Sequence, residues 1–279
     1  MAEMWRDDEL VVGEFTFDAL RCGPSDGETI LLLHGWPESN AQWRDVGPIL
    51  AEAGYDVVAP NLRGYAPGAR PAGVEAYGVE QLSGDVVGMI EALGTERVHL
   101  VGHDWGGIIG WFVAGEHPEF LTTYTAVSTP HPQAVVRATM ADPEQHEKLQ
   151  YINLLRQEGV AEEKLAADDW AYLRRMIGNL GGARLDEHLR LLGQPGALTA
   201  VLNYYRAYRP ETGLALGPVT VPTTYVWGNT DVAFGRRAAE GTADFVEAPY
   251  TFVELDEGHW ISDLQPEPLA DAILARVRE

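Results

Sequence analysis

The sequence predicts an α/β fold: helices flank a mostly parallel central sheet, and a helical cap is inserted part-way along the chain. Three observations predict it. Short β-branched and aliphatic runs recur along the chain, helical patterns separate several of them, and from about His131 to about Gly217 the strand signal gives way to helices before strands resume. Strands that alternate with helices form parallel sheets covered on both faces, because each crossover lays a helix over the sheet. The expected division is a first part of the core over residues 1–130, a helical cap over 131–217 and a second part of the core over 218–279.

Taken in order, Val11 to Phe17 alternates as an antiparallel edge hairpin does. Buried strands are read at Thr29 to Leu33, Asp56 to Ala59, Val98 to Val101, Thr122 to Val127, Thr223 to Trp227 and Tyr250 to Leu255. The clearest core helix places Leu82, Val86, Met89, Ile90 and Leu93 on one face at three- and four-residue steps. Cap helices are expected around Glu144 to Arg156, Asp168 to Met176, Asp186 to Leu192 and Gly196 to Tyr208, with strand sequence resuming at Val219. Gly193, Pro195, Pro210, Gly213, Gly217 and Pro218 punctuate them as turn residues do.

A chain of 279 residues with 46% hydrophobic composition buries a substantial core. Its 20 basic and 42 acidic residues give a formal net charge of −22. Such a field repels phosphate backbones and anionic headgroups, which excludes nucleic acid and anionic membrane surfaces as partners. It fits solubility or tolerance of salt and does not name a substrate. Cys22 is the only cysteine, so no intrachain disulfide forms. The polar, acidic start from Met1 to Asp8 has none of the character of a secretory signal, and no later segment is apolar for long enough to span a bilayer; a cytoplasmic protein is expected. No HExxH-like ligand spacing and no glycine-rich phosphate loop occurs, so no metal or organic cofactor is expected. The oligomeric state is left open, a homodimer being one outcome.

The chemistry is concentrated at Val98 to Gly110, VHLVGHDWGGIIG, where a buried strand runs into small residues and then a helix. This is the pattern of a nucleophile elbow with Asp104 at its apex. Gly102 and Gly106 bracket Asp104 because a tight strand-to-helix turn leaves no room for side chains at those offsets. An aspartate there would also serve as a plain helix N-cap. Chain order favours the catalytic role. Asp231 follows one strand in WGNTD and His259 follows the next in DEGHW, giving nucleophile, acid and histidine in the sequence such elbows require.

A carboxylate nucleophile selects the chemistry. Serine attacking an alkyl carbon would leave an ether that water does not readily cleave, whereas aspartate leaves an ester with a carbonyl that water attacks. Asp104 is ionised at neutral pH without a base. His259, oriented by Asp231, is then free to activate the water of a second step. The loop His34 to Pro37, HGWP, follows the strand beside the elbow; Gly35 lets its backbone come close, and the amides of Trp36 and Trp105 are the expected oxyanion hole. His34 and His103 are expected to orient loops.

HGWP, NLRGY at Asn61 to Tyr65, GHDWGG at Gly102 to Gly107 and the two loops bearing Asp231 and His259 resemble the epoxide hydrolase and haloalkane dehalogenase branch of the α/β-hydrolase fold, over nearly the whole chain. The resemblance implies a cis Trp36 to Pro37 bond. The chain departs from it at Asn61, where relatives more often have aspartate, a change expected to touch scaffold. NYYR at Asn203 to Arg206 resembles the epoxide hydrolase cap motif and points to Tyr205 over Tyr204, and the stretch from Gln150 resembles the segment carrying that family's other ring-opening tyrosine, which matches Tyr151. The activity so implied is opening of a small-molecule epoxide to a vicinal diol by water, through an Asp104 ester. Two alternatives stand beside it. A haloalkane dehalogenase would hold the halide on N–H groups of Trp105 with Trp36 or Trp170, and a catalytically silent member of the fold would bind a ligand only.

Overall fold

The computed structural model describes residues 4–178, 180 and 182–279. Its strands are β1 (Arg6–Val12), β2 (Phe15–Cys22), β3 (Thr29–Leu33), β4 (Asp56–Pro60), β5 (Val98–His103), β6 (Leu121–Val127), β7 (Thr223–Gly228) and β8 (Tyr250–Leu255). Among the described residues they form one sheet in the order β1-β2-β4-β3-β5-β6-β7-β8. β1 and β2 form the expected antiparallel hairpin about Gly13, whose φ of 58° only glycine adopts without cost. β2 joins β4 antiparallel, and every pair from β4 to β8 is parallel.

The core helices are α1 (Val46–Glu52), α2 (Val79–Ala92) and α3 (Trp105–Glu116) before the cap. Period-two alternation sorts the strands between two faces. Ile30 and Leu32 pack with Leu50 of α1 on one face, while Leu31 and Leu33 pack with Val86 of α2 and Ile109 of α3 on the other. The predicted stripe of α2 is confirmed, with Leu82, Val86, Met89 and Ile90 all buried.

Between β6 and β7 the chain forms α4 (Pro132–Ala141), α5 (Pro143–Lys148), α6 (Tyr151–Leu155), α7 (Val160–Ile177), α8 (Gly182–Leu192), α9 (Ala197–Ala207) and α10 (Pro210–Leu214). These lie within 131–217, the segment taken as the cap. Three details differ from expectation. The single helix read over Glu144 to Arg156 is two, α5 and α6, separated at Leu149 and Gln150. The helix read from Asp168 is the second half of α7, whose path breaks at Ala167 to Trp170; Asp168, Asp169 and Trp170 have φ of 51°, 54° and 63°. Aspartate tolerates this left-handed region better than most residues, so helical spacing alone does not reveal the break. At Val219 there is only an isolated bridge to Val246, and the strand begins at Thr223, because Pro218 and Pro222 have no N–H to give a ladder.

The chain ends with α11 (Arg236–Gly241), α12 (Ile261–Leu264) and α13 (Pro266–Val277), the last packing beside α1. Among the described residues no helix is long and apolar enough to cross a membrane.

Candidate active site

Topology creates the site. From β3 the chain crosses to β4 on one side and then returns to β5 on the other, so the C-terminal ends of β3 and β5 flank the point where strand order reverses, the place where open α/β sheets bind ligands. HGWP follows β3 and the elbow follows β5, with Leu33 paired to Gly102 in register.

At the elbow Asp104 has φ 49° and ψ −116°, a conformation that side chains rarely adopt. Crowding explains the glycines. A Cβ on Gly102 would stand 2.2 Å from the Gly106 carbonyl oxygen, and one on Gly106 would stand 2.4 Å from that of Leu33. Gly35 is needed for the opposite wall, since a Cβ there would meet the Asp104 Cβ at 2.4 Å.

Asp104, Asp231 and His259 come together from the ends of β5, β7 and β8. His259 Nδ1 lies 2.8 Å from Asp231 Oδ2, and His259 Nε2 lies 3.6 Å from Asp104 Oδ2. The other Asp231 oxygen accepts the amides of Ala233 at 2.7 Å and Phe234 at 3.0 Å, which fixes the carboxylate for the histidine. All three side chains are buried. Burial disfavours charge on His259, but Asp231 and Asp104 outweigh it and push the imidazolium up to about 10. Burial likewise pushes Asp104 up, and hydrogen bonds and charge from His259, with the Trp36 amide, bring it below the usual carboxylate value. The resting site therefore holds an imidazolium between two carboxylates.

The Trp36 amide donates to Asp104 Oδ1 at 2.7 Å, and the Trp36–Pro37 peptide is cis. Trp105 is the first residue of α3, where amides have no acceptor within the helix. Both residues expected to donate to an oxyanion thus stand at Asp104. His34 Nε2 accepts the Leu62 amide at 3.1 Å and ties HGWP to NLRGY. Asn61 bonds Asp18 at 2.6 Å and the Asn40 amide at 3.0 Å, scaffold contacts as expected.

Behind His259 lies a polar cluster that sequence reasoning missed. His103 Nε2, at 2.9 Å, and the Ser128 hydroxyl, at 2.8 Å, both reach the His259 carbonyl. A carbonyl only accepts, so His103 carries its proton on Nε2 and turns a bare Nδ1 toward Glu38 Oε2 at 3.2 Å. Burial pushes Glu38 up to about 7 and His103 down to about 4, favouring the neutral form of each, and neither Glu38 oxygen nor His103 Nδ1 has a hydrogen-bond partner among the described residues. Glu38, His188 and Asp263 also have ligand-type atoms within 4.8 Å of one another. His188 Nδ1 accepts the Ser39 amide at 3.0 Å, so the proton sits on Nε2, which faces Glu38 at 4.0 Å. That nitrogen carries its proton and so is not free to hold a cation. A carboxylate directly after HGWP, at the head of the polar run Glu38 to Asn40, was the available signal for Glu38.

The helices between β6 and β7 supply the other side. Tyr151 opens α6 and Tyr205 lies on α9, its ring edge-on to Trp36 and Trp105 at centroid distances of 5.7 and 5.1 Å. The two phenols are close enough to interact, and burial together with the Asp104 charge raises both, keeping them protonated donors. Tyr204 turns away and donates to the Arg63 carbonyl at 2.7 Å. Two chambers meet here. One of 490 Å³ is lined by Trp105, Ile108, Val135, Leu149 and Phe234 among others, and one of 220 Å³ by Trp36, Tyr172, Met176, His259 and Trp260 among others. Asp104, Tyr151 and Tyr205 line both. Trp170 lines neither.

The family model described as the alpha/beta hydrolase fold matches residues 28–266. Among curated proteins, the chain is 33% identical over 267 residues to the AB hydrolase superfamily protein YfhM of Bacillus subtilis, covering 93% of each. It is 30% identical over 295 residues to epoxide hydrolase A of Mycobacterium tuberculosis, covering 91% of this chain and 92% of the relative. Among solved structures, an epoxide hydrolase of Bacillus megaterium in complex with an inhibitor matches with a TM-score of 0.88 at 24% identity, covering 98% of this chain and 100% of that one. At that identity the likeness speaks for the fold alone.

Proposed function

The chain belongs to the epoxide hydrolase family of the α/β-hydrolase fold, and from that premise we propose that it opens an epoxide to a vicinal diol through a covalent Asp104 ester. One observation carries the reading: the Asp104 carboxylate and the two cap phenols, Tyr151 and Tyr205, line the same junction between two chambers. An epoxide placed there has a nucleophile on one side and proton donors on the other.

In the first step an Asp104 oxygen attacks a ring carbon, the carbon–oxygen bond of the ring breaks, and the departing alkoxide takes a proton from one phenol. The ester is neutral. His259 thereby loses one of the two carboxylates that hold its proton, and its affinity for that proton falls. That proton passes to the phenolate, and the neutral His259 then takes a proton from water, whose hydroxide attacks the ester carbonyl while the Trp36 and Trp105 amides hold the oxyanion. Collapse releases the diol oxygen, which recovers the proton from His259. The carboxylic acid left at Asp104 gives its proton to His259, which restores the carboxylate and the imidazolium, so the net reaction is epoxide plus water to diol.

The test is His259→Gln, which keeps the nucleophile and removes the base. After treatment with epoxide, intact-protein mass spectrometry should find one substrate mass added, with peptide mapping placing it on Asp104. Unmodified protein would sink the scheme.

A second reading has one observation in its favour. Trp36 Nε1 is buried without a hydrogen-bond partner among the described residues, the kind of N–H that holds a departing halide. The indole of Trp105, the other donor a haloalkane dehalogenase would need, packs edge-on against Tyr205 at a centroid distance of 5.1 Å. Free halide released from a haloalkane panel without any diol from epoxides would favour that reading, and tight binding with no turnover would favour a silent ligand binder.

A further inference from the structure

We propose that the two chambers divide substrate from water: the 490 Å³ chamber takes the bulk of an epoxide with one extended apolar substituent, and the 220 Å³ chamber takes the hydrolytic water. The proposal rests on the epoxide reading and narrows its substrate class.

The lining carries the first part. Asp104, Tyr151 and Tyr205 are the residues shared by both chambers, so the reacting ring sits at their junction and its substituents extend into one or the other. His259 lines the smaller chamber and not the larger. The attacking water must touch both His259 and the Asp104 carbonyl, and so it stands on the smaller side. There the His259 ring, the Asp104 carboxyl and the two phenols supply the two to four polar partners an ordered water requires.

Size carries the second. Ligand pockets span roughly 300 to 1,000 Å³. The larger chamber falls inside that range at 490 Å³ and the smaller outside it at 220 Å³. With a water occupying about 30 Å³ of liquid, the smaller chamber suits a handful of waters. The larger is walled by Ile108, Val135, Val136, Leu149 and Ile152, and Asp104 is the one carboxylate among its lining residues. That wall suits a chain or ring of carbon.

A terminal epoxide with one long substituent therefore forms its ester with the smaller chamber free for water. An epoxide with two sizeable substituents must push one into it. Such a compound is either kept out or trapped, alkylating Asp104 while displacing the water that would release it.

Two isomers make the test: an alkyl epoxide with a single eight-carbon substituent and the trans isomer with two four-carbon substituents. Single-turnover quenching followed by intact-protein mass gives ester, and chromatography gives diol. The terminal isomer should yield diol without build-up of ester, and the symmetric isomer should yield it at least tenfold more slowly. Diol from both at rates within tenfold would overturn the partition. Met176→Ala, which enlarges the smaller chamber, should narrow the gap severalfold, and an unchanged gap would count against it. Met176→Trp should slow ester hydrolysis of the terminal isomer more than its alkylation, and Val135→Trp the reverse; the opposite pattern would overturn the assignment. If neither isomer ever alkylates Asp104, the epoxide reading itself falls and takes this inference with it.

Discussion

Asp104, His259 and Asp231 hold one proton and two negative charges in a volume that water scarcely reaches, so the charge on each depends on the others. Replacing Asp104 by asparagine imitates the neutral ester in size and charge. In Asp104→Asn the His259 pKa should fall from about 10, because the hydrogen bond and the charge of Asp104 are two of the influences holding it up. Proton-detected titration of the histidine should read a drop of a unit or more, and an unmoved value would mean that Asp231 alone sets it. The phenols give a second expectation. Tyr151→Phe and Tyr205→Phe should each slow ester formation on the order of ten- to hundredfold, with the double change slower still, because general acids contribute roughly a hundred- to ten-thousandfold and here either phenol serves in part for the other. Stopped-flow alkylation in a His259→Gln background reads that step alone. Much at this scale was legible in sequence: Asp104, Asp231 and His259 were marked by short motifs whose spacing reflects local sterics. The preference for Tyr205 over Tyr204 came from resemblance, and the packing that turns Tyr204 to the Arg63 carbonyl gives it a physical reason. Glu38 was missed because its partners, His103, His188 and Asp263, come from distant parts of the chain.

At the scale of elements, the elbow is a place where backbone, not side chain, dictates residue type. Gly102→Ala must move a Cβ that stands 2.2 Å from the Gly106 carbonyl oxygen, and either β5 or α3 has to shift. Denaturant titration should show a loss of roughly 2 to 4 kcal/mol, with activity lost in the fraction that still folds because Asp104 no longer faces the phenols. A stability change below about 0.5 kcal/mol would show that the turn has slack. Strands and core helices were legible because burial imposes periods of two and of 3.6 on them. The cap was less so. The break at Ala167 to Trp170 and the gap between α5 and α6 leave the helical spacing of apolar residues almost intact, so the pattern carries no trace of them.

Over the whole molecule, burial leaves several histidines neutral. His34 and His103 are pushed down to about 4, and His131 and His188 to about 3, each by desolvation. His99 is lowered too. The unfolded chain binds these protons below about pH 6.5, whereas the folded chain refuses them until near pH 4, so the stability they give is present above 6.5 and is lost as pH falls through the folded values. Buried Glu38, Asp85 and Asp263 are raised and act in the opposite sense, so they offset part of the loss. Five lowered histidines stand against three raised carboxyls, so the net effect follows the histidines and stability falls as pH drops below about 6.5. Melting temperature should fall as pH is lowered from about 6.5 toward about 5. Calorimetry showing a flat profile from pH 7 to 5 would mean that the histidines protonate in place. His259 contributes at the other end: its raised value lends stability that is full below 6.5 and lost as pH rises through about 10.

By itself the sequence determined the order of strands and helices, the strained turn that bears Asp104 and the positions of its two partners, since each rests on contacts between residues close in the chain or on a repeat that burial enforces. Tertiary structure alone decided which side chains from the helices between β6 and β7 reach Asp104, where those helices break, how Glu38 comes to lie beside His103 and how the space around Asp104 is split into a larger and a smaller chamber. Those features depend on where segments far apart in sequence come to rest against each other, and a volume enclosed by several of them belongs to no single stretch of chain.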